Sequence, residues 1–169
     1  MSDRRNTLVF LENTRFIYRT NFAGLPDEKF GSTTRYGNIL IPDPEQAMEL
    51  ADEGFDVRET RPREGEEEGF DPRYYVKTIL NYDSEVAKQR PPKVYLVEGN
   101  HEPELLDAES VGIIDNIYVL NVKATLEKSY SKRYDKHLLY VKVMYVEHDM
   151  EDDPWGESYR SAGQPEEDD

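Results

Sequence analysis

The sequence predicts a mainly β fold: a small barrel with one or two short helical insertions, followed by a flexible acidic arm. Three observations carry that prediction. Apolar residues alternate in short segments bounded by Gly, Pro and polar clusters. One stretch, after Asp43, has a helical stripe with both a start and a stop signal. The end of the chain is dense in acids and poor in apolar residues.

The elements follow in order along the 169 residues, a length that suits one domain with a real core and an arm. Thr7–Thr20 is rich in aromatic and β-branched residues and long for a strand. Alternation puts Leu8, Phe10, Phe16 and Tyr18 on one face and Arg15, Ile17 and Arg19 on the other. Residues 21–34 hold Gly24, Pro26 and Gly31 and read as a loop, with Phe22 and Phe30 exposed unless they fold back. Arg35–Ile41 is the second predicted strand.

In Asp43-Pro44-Glu45-Gln46 the aspartate can cap a helix, the proline sits where its missing N–H costs nothing, and Gln46 can close a capping box. Ala47, Met48, Leu50 and Ala51 form its apolar stripe, and Gly54 stops it. Phe55–Thr60 is a further short strand. Arg61–Gly69 has few apolar residues and crowded acids, which predicts a mobile loop.

Arg73–Tyr82 is the clearest strand and the centre of the predicted sheet. It places Tyr74, Val76, Thr78, Leu80 and Tyr82 inward and Tyr75, Lys77, Ile79 and Asn81 outward. Asp83–Arg90 reads as a polar connection, Lys93–Val97 as a strand, and Leu105–Asn116 as a short helix capped by Asp107 and weakened by Gly112. In Ile117–Glu127 the inward set is Tyr118, Leu120, Val122, Ala124 and Leu126, with Asn121 and Lys123 outward. In Leu138–Val146 it is Leu139, Val141, Val143 and Tyr145, with Tyr140 and Lys142 outward. These segments predict a five-stranded OB-fold-like Greek-key barrel over residues 1–148 and a flexible acidic tail over 149–169.

The net charge of −15 argues against a nucleic-acid partner until its distribution is read. From Glu147 to the end, ten acids stand against Arg160 alone, a net of −9. The preceding part holds 26 acids and 20 bases, a net of −6, much of it from the block Glu64–Glu68. Against this background Lys128–Lys136 carries four bases and one acid, interleaved with Tyr130 and Tyr134. Two strands repeat an outward Tyr/Lys pair, Tyr75 with Lys77 and Tyr140 with Lys142. Such a pair can stack a base while neutralising its phosphate, although an ordinary solvated face also carries Tyr beside Lys.

Several runs resemble one family. They are Arg35–Ile41, Ala51–Pro62, Tyr75–Tyr82, Pro91–Val97, Leu105–Val111 and Leu139–Val146, followed by an acidic C-terminus bearing Trp155 and Tyr159. In this order they resemble the bacteriophage single-stranded-DNA-binding proteins of the OB-fold type. The acid-rich Arg61–Gly69 segment departs from that pattern as an insertion, and the segment between Asp115 and Lys123 is shorter. The resemblance implies sequence-tolerant binding of single-stranded DNA in phage replication, recombination and repair, with no catalysis. It implies base stacking on Tyr36, Tyr75, Tyr130 and Tyr140, beside the hairpin's Tyr134. Phosphates would fall to Arg19, Arg35, Lys77 and Lys123, and to Lys132, Arg133, Lys136 and Lys142. The tail, through Trp155, Tyr159, Glu166, Glu167, Asp168 and Asp169, would recruit replication or recombination proteins and compete with DNA.

Other classes fit less of the chain. His101, His137 and His148 are far apart without zinc-site spacing, and no glycine-rich phosphate loop or nucleophile elbow is present, so no cofactor, metal or catalytic residue is expected. An acidic DNA mimic that blocks a host DNA-binding protein fits the net charge but leaves the outward Tyr/Lys pairs without a role. The absence of cysteine, of an apolar leader and of a membrane-length apolar run predicts a soluble cytoplasmic protein, which the phage resemblance makes the host cytoplasm, with a homo-oligomer compatible.

Overall fold

The computed structural model describes residues 7–150. Its strands are β1 (Leu8–Thr14), β2 (Arg35–Ile41), β3 (Arg58–Glu59), β4 (Tyr74–Leu80), β5 (Lys93–Val97), β6 (Glu104–Leu106), β7 (Val119–Ser131) and β8 (Lys136–His148). Helix α1 (Pro44–Asp52) follows β2, α2 (Glu85–Gln89) follows β4, and a 3-10 helix, Val111–Asn116, precedes β7. All eight strands join one mixed sheet with the path β1-β7-β8-β4-β2. β5 pairs in parallel with β8 and antiparallel with β6, and β3 lies on β4. Among the described residues no helix is long and apolar enough to cross a membrane.

The β content matches the expectation from sequence; the closed five-stranded barrel does not. The sheet is open, and no ladder joins its end strands β1 and β2; between them run the Thr14 Oγ1 bond to the Leu40 carbonyl (2.7 Å) and the isolated bridges Phe16–Ile39 and Asn21–Tyr36, made by the chain that continues from β1. The cause lies in the backbone of the long predicted first strand. Asn13 and Tyr18 hold φ of 54° and 61°, and the pairing with β7 shifts register between Leu11 and Thr14. Left-handed residues break the pleat, so the strand ends at Thr14 and Thr7–Thr20 is not one ladder. The continuation still reaches β2: Ile17 N–H donates to the Asn38 carbonyl (2.9 Å) and Leu40 N–H to the Arg15 carbonyl (3.0 Å).

Bulges also decide which residues form the core. β4 buries Val76, Thr78 and Leu80 with Tyr74 and Tyr82 half-buried, as its alternation predicts. On β1 the core face is that of Val9 and Leu11, while Phe10, on the other face, is 61% exposed. On β8, Leu139 and Val141 are buried as expected, but an irregularity opposite Thr125 and Leu126 leaves Lys142 without a partner on β7. That extra residue flips the remainder, so Met144 and Val146 enter the core and Tyr145 turns out. A second irregularity, between Val119 and Asn121, leaves Tyr118 and Leu120 exposed rather than inward.

Phe22, in the predicted exposed loop, is wholly buried. The Asp115 carboxylate accepts from the backbone N–H of Phe22 and of Ala23 (2.9 Å each), so the loop turns inward without orphaned donors. Gly37 leaves the room: a Cβ there would come within 2.5 Å of the Phe22 ring. Phe30 remains 79% exposed.

Helix α1 starts at the predicted cap, with Asp43 accepting from Glu45 N–H (3.0 Å), and stops at Gly54, whose φ is 105°. The capping box does not form, because Gln46 Nε2 donates instead to the Phe10 carbonyl (3.2 Å). Met48 and Ala51 of the predicted stripe are exposed, leaving Ala47 and Leu50 as the buried residues. The predicted helix Leu105–Asn116 resolves into β6, a turn closed by Asp107 and Ser110, and the 3-10 helix. The polar connection Asp83–Arg90 contains α2, capped by Ser84 accepting from Ala87 N–H (3.1 Å).

Candidate nucleic-acid interface

β2 and β4 pair in full register, Tyr36 opposite Ile79, Asn38 opposite Lys77 and Leu40 opposite Tyr75. Residues directly opposite share a face, and Gly37, Ile39, Val76 and Thr78 are buried, so Tyr36, Asn38, Tyr75, Lys77 and Ile79 line the outer side. β8 extends this side through its single register pair with β4, Ile79 with Tyr140. A row Tyr36–Ile79–Tyr140 therefore crosses three strands. The Lys77 ammonium lies 4.7 Å from the Tyr36 ring centroid, within cation–π range.

Tyr18 joins this surface from the chain after β1. Its φ is positive, and it is 57% exposed and meets Tyr75 edge-on, with ring centroids 5.2 Å apart. Arg19 beside it is exposed, and its carbonyl accepts from Asn38 Nδ2 (3.1 Å). The outer side thus carries four tyrosines with a lysine among them.

The β4 edge that faces β8 is only partly paired. β3 covers Tyr74 and Tyr75, β8 touches at Ile79, and between these lies a cleft of about 330 Å³. Lys77 and Arg58 line it from one side, Lys136 and His137 from the hairpin on the other. Arg58, on the short strand β3, was not singled out from sequence, because nothing local says which strand β3 joins. Its guanidinium pairs with Asp56 at 2.9 Å, and that hydrogen bond raises its already high pKa.

The basic hairpin between β7 and β8 is anchored at its base. The His137 ring packs against Phe55 (5.1 Å) and Tyr130 (4.7 Å), and Tyr130 Oη donates to Asp135 (2.7 Å), which holds the phenol protonated above its ordinary range. Lys128 is committed to Glu53 of the segment after α1, at 2.8 Å. Lys132, Arg133, Tyr134 and Lys136 stay exposed at the tip, with the Arg133 guanidinium 5.3 Å from the Tyr134 ring centroid.

Two expected contacts lie elsewhere. Arg35 is in register with the buried Leu80, on the opposite side of β2 from Tyr36. Its Nη1 donates to the carbonyls of Phe22 (3.0 Å) and Ala108 (2.7 Å), and its plane lies 5.2 Å from the Tyr82 ring centroid. It clamps the loop that buries Phe22. Lys123 pairs with Tyr145, which stacks on Tyr95 at 4.8 Å; this patch sits across β7, β8 and β5, away from β2 and β4. Lys142 is exposed at the β8 irregularity. Trp155, Tyr159, Glu166, Glu167, Asp168 and Asp169 lie outside the described residues.

No family model, curated protein or solved structure matches the chain. Among the described residues no group of three or more His, Asp or Glu has the arrangement to hold a metal ion.

Proposed function

We propose that this protein binds single-stranded DNA with little base preference, along the outer side of β2, β4 and β8 and over the basic hairpin. The observation that carries the reading is the outer row itself. Four tyrosines, Tyr18, Tyr36, Tyr75 and Tyr140, share one side of the sheet with Lys77, beside a cleft edged by Lys136. Aromatic faces stack any base and cations track the phosphates, which favours single strands without a sequence code. The wiring supports the same reading. The first strand's chain touches both β7 and β2, and β4 meets β8 in parallel, as in a partly open Greek-key barrel of OB type. The residue runs that resemble phage single-stranded-DNA-binding proteins include β2, β4 and β8. On this reading the protein acts by binding in replication, recombination or repair, and the acidic segment from Glu151 onward recruits partner proteins.

Fluorescence titration with oligo-dT and with duplex of equal length, at several salt concentrations, tests this. Single strands should bind more tightly, with affinity falling at a log–log slope of about −0.7 per phosphate neutralised. Equal affinity for duplex would count heavily against the reading. No retardation of an oligonucleotide at all would favour the acidic DNA mimic.

A further inference from the structure

We infer that the cleft beside Tyr18, at the end of the sheet where β1 and β2 part, is a further nucleotide subsite. It would take one unstacked base of a bound strand and hold the adjoining phosphate with Arg15 and Arg73. The inference rests on the single-strand reading above and adds residues to it.

The cleft encloses about 450 Å³. That lies in the range of small-molecule sites, enough for a nucleotide and too small for a duplex. Arg15, Tyr18, Arg73 and Tyr118 line it together with Phe16 and Ile114. This combines an apolar and aromatic surface for a base with two guanidinium forks for a phosphate. Neither arginine has an ion-pair partner among the described residues.

Their backbones are pinned. The Arg15 carbonyl accepts from Leu40 N–H (3.0 Å), and Arg73 N–H donates to Thr60 Oγ1 (2.9 Å). The two cations are therefore carried on fixed chain at the same end of β2 and β4. Of the carboxylates on the wall, Asp115 is taken up by Thr20 Oγ1 (2.6 Å) and by the N–H groups of Phe22 and Ala23. Asp149 is the other acid on the wall, against two arginines.

Continuity selects the occupant. Tyr18 lines this cleft and also touches Tyr75 of the outer row, so a strand stacked on Tyr75 runs directly to the cleft mouth. A separate small ligand would not need that connection. Neither arginine was singled out in the sequence, because Arg15 and Arg73 are far apart along the chain and line one cleft only where β1 ends and β4 begins.

The test uses the full chain, labelled oligo-dT of increasing length within about 4–16 nucleotides, and three variants. Arg15→Ala with Arg73→Ala should leave the shortest bound oligonucleotides unaffected and weaken the longer ones by about tenfold, with the salt slope reduced by about 0.7 per lost contact. Arg15→Lys with Arg73→Lys keeps the charge but loses the fork, and should restore the slope more than the affinity. Lys77→Ala, on the outer row, should weaken every length. Thermal melts check that the exposed substitutions leave the fold intact. Wild-type affinity and slope in the double alanine variant at all lengths would overturn the subsite. So would an equal loss at every length, which marks general steering. Tighter binding in the variant would assign the cleft to the chain's own acidic segment and also overturn it. If the unmodified protein binds no single strand of any length, the single-strand reading fails and the subsite with it.

Discussion

Tyr75 and Val76 are neighbours in β4 with opposite destinations, and substituting each by alanine separates the proposed surface from the core. Val76 is 2% exposed and belongs to the central cluster. Truncation to alanine removes about two methylene equivalents at ~0.8 kcal/mol each. The cavity left in a close-packed core adds to this, for a total of about 2–3 kcal/mol. With a urea dependence of roughly 1–3 kcal/mol/M, the unfolding midpoint should fall by about 0.7–3 M. Tyr75 is half-buried, and its defined packing is the edge contact with Tyr18. Losing an aromatic pair costs about 0.5–1.5 kcal/mol of stability. Losing a stacking platform costs about 1–3 kcal/mol of DNA binding, roughly 5- to 150-fold in Kd.

Urea unfolding and oligo-dT anisotropy, measured on both variants below the unfolding transition, give the two numbers independently. Tyr75→Ala should lose mainly affinity and Val76→Ala mainly stability. Because Tyr18 and Tyr75 touch, combining Tyr18→Ala with Tyr75→Ala should cost less affinity than the two losses added. A Tyr75→Ala protein that binds as tightly as the original would refute the proposed face. So would a fully folded Val76→Ala protein that loses affinity to the same degree.

Three further outcomes follow from the geometry. Gly37→Ala drives a Cβ to 2.5 Å from the Phe22 ring and should cost about 1–3 kcal/mol in thermal or urea unfolding, since that ring is wholly buried. The Tyr82 hydroxyl is buried without a hydrogen-bond partner among the described residues, so Tyr82→Phe should raise the melting temperature with DNA affinity unchanged. Burial pushes the Tyr82 phenol up to about 12. Its folded pKa thus lies above the unfolded value near 10, so the neutral phenol supports the fold fully below pH ~10 and progressively less between pH ~10 and ~12. The stability gap in favour of Tyr82→Phe should therefore widen over that alkaline window, by on the order of 1 kcal/mol once partial solvent screening is discounted. Truncation after Met150 removes eight acids and Arg160 while keeping every strand of the described residues; it should tighten single-strand binding at low salt, with the gain shrinking as the Debye length falls to about 8 Å at physiological ionic strength.

The sequence by itself determined those features in which the local pattern is also the tertiary pattern. β4 keeps one unbroken alternation from Tyr74 to Leu80 and pairs in full register with β2, so its inner and outer faces were legible residue by residue. The start of α1 was legible because its cap, Asp43, needs no partner from elsewhere in the chain. The exposed bases of the 131–136 turn were legible as a local excess of charge.

Tertiary structure alone decided what happens after an interruption. Alternation carries a face along a strand only to the first bulge or left-handed residue. Whether one occurs depends on the neighbouring ladder: β7 imposes it on β8 at Lys142, which exchanges Tyr145 for Met144 in the core. Asn13 and Tyr18 break the first strand in the same way, opening the sheet and sending Tyr18 to the outer row. Distant partners settled the rest. Phe22 is buried because Asp115, far along the chain, accepts its backbone N–H, and Arg35 leaves the outer face because carbonyls of Phe22 and Ala108 converge on its guanidinium. No spacing in the sequence encodes those meetings, because each needs two segments folded against each other before the hydrogen bond exists.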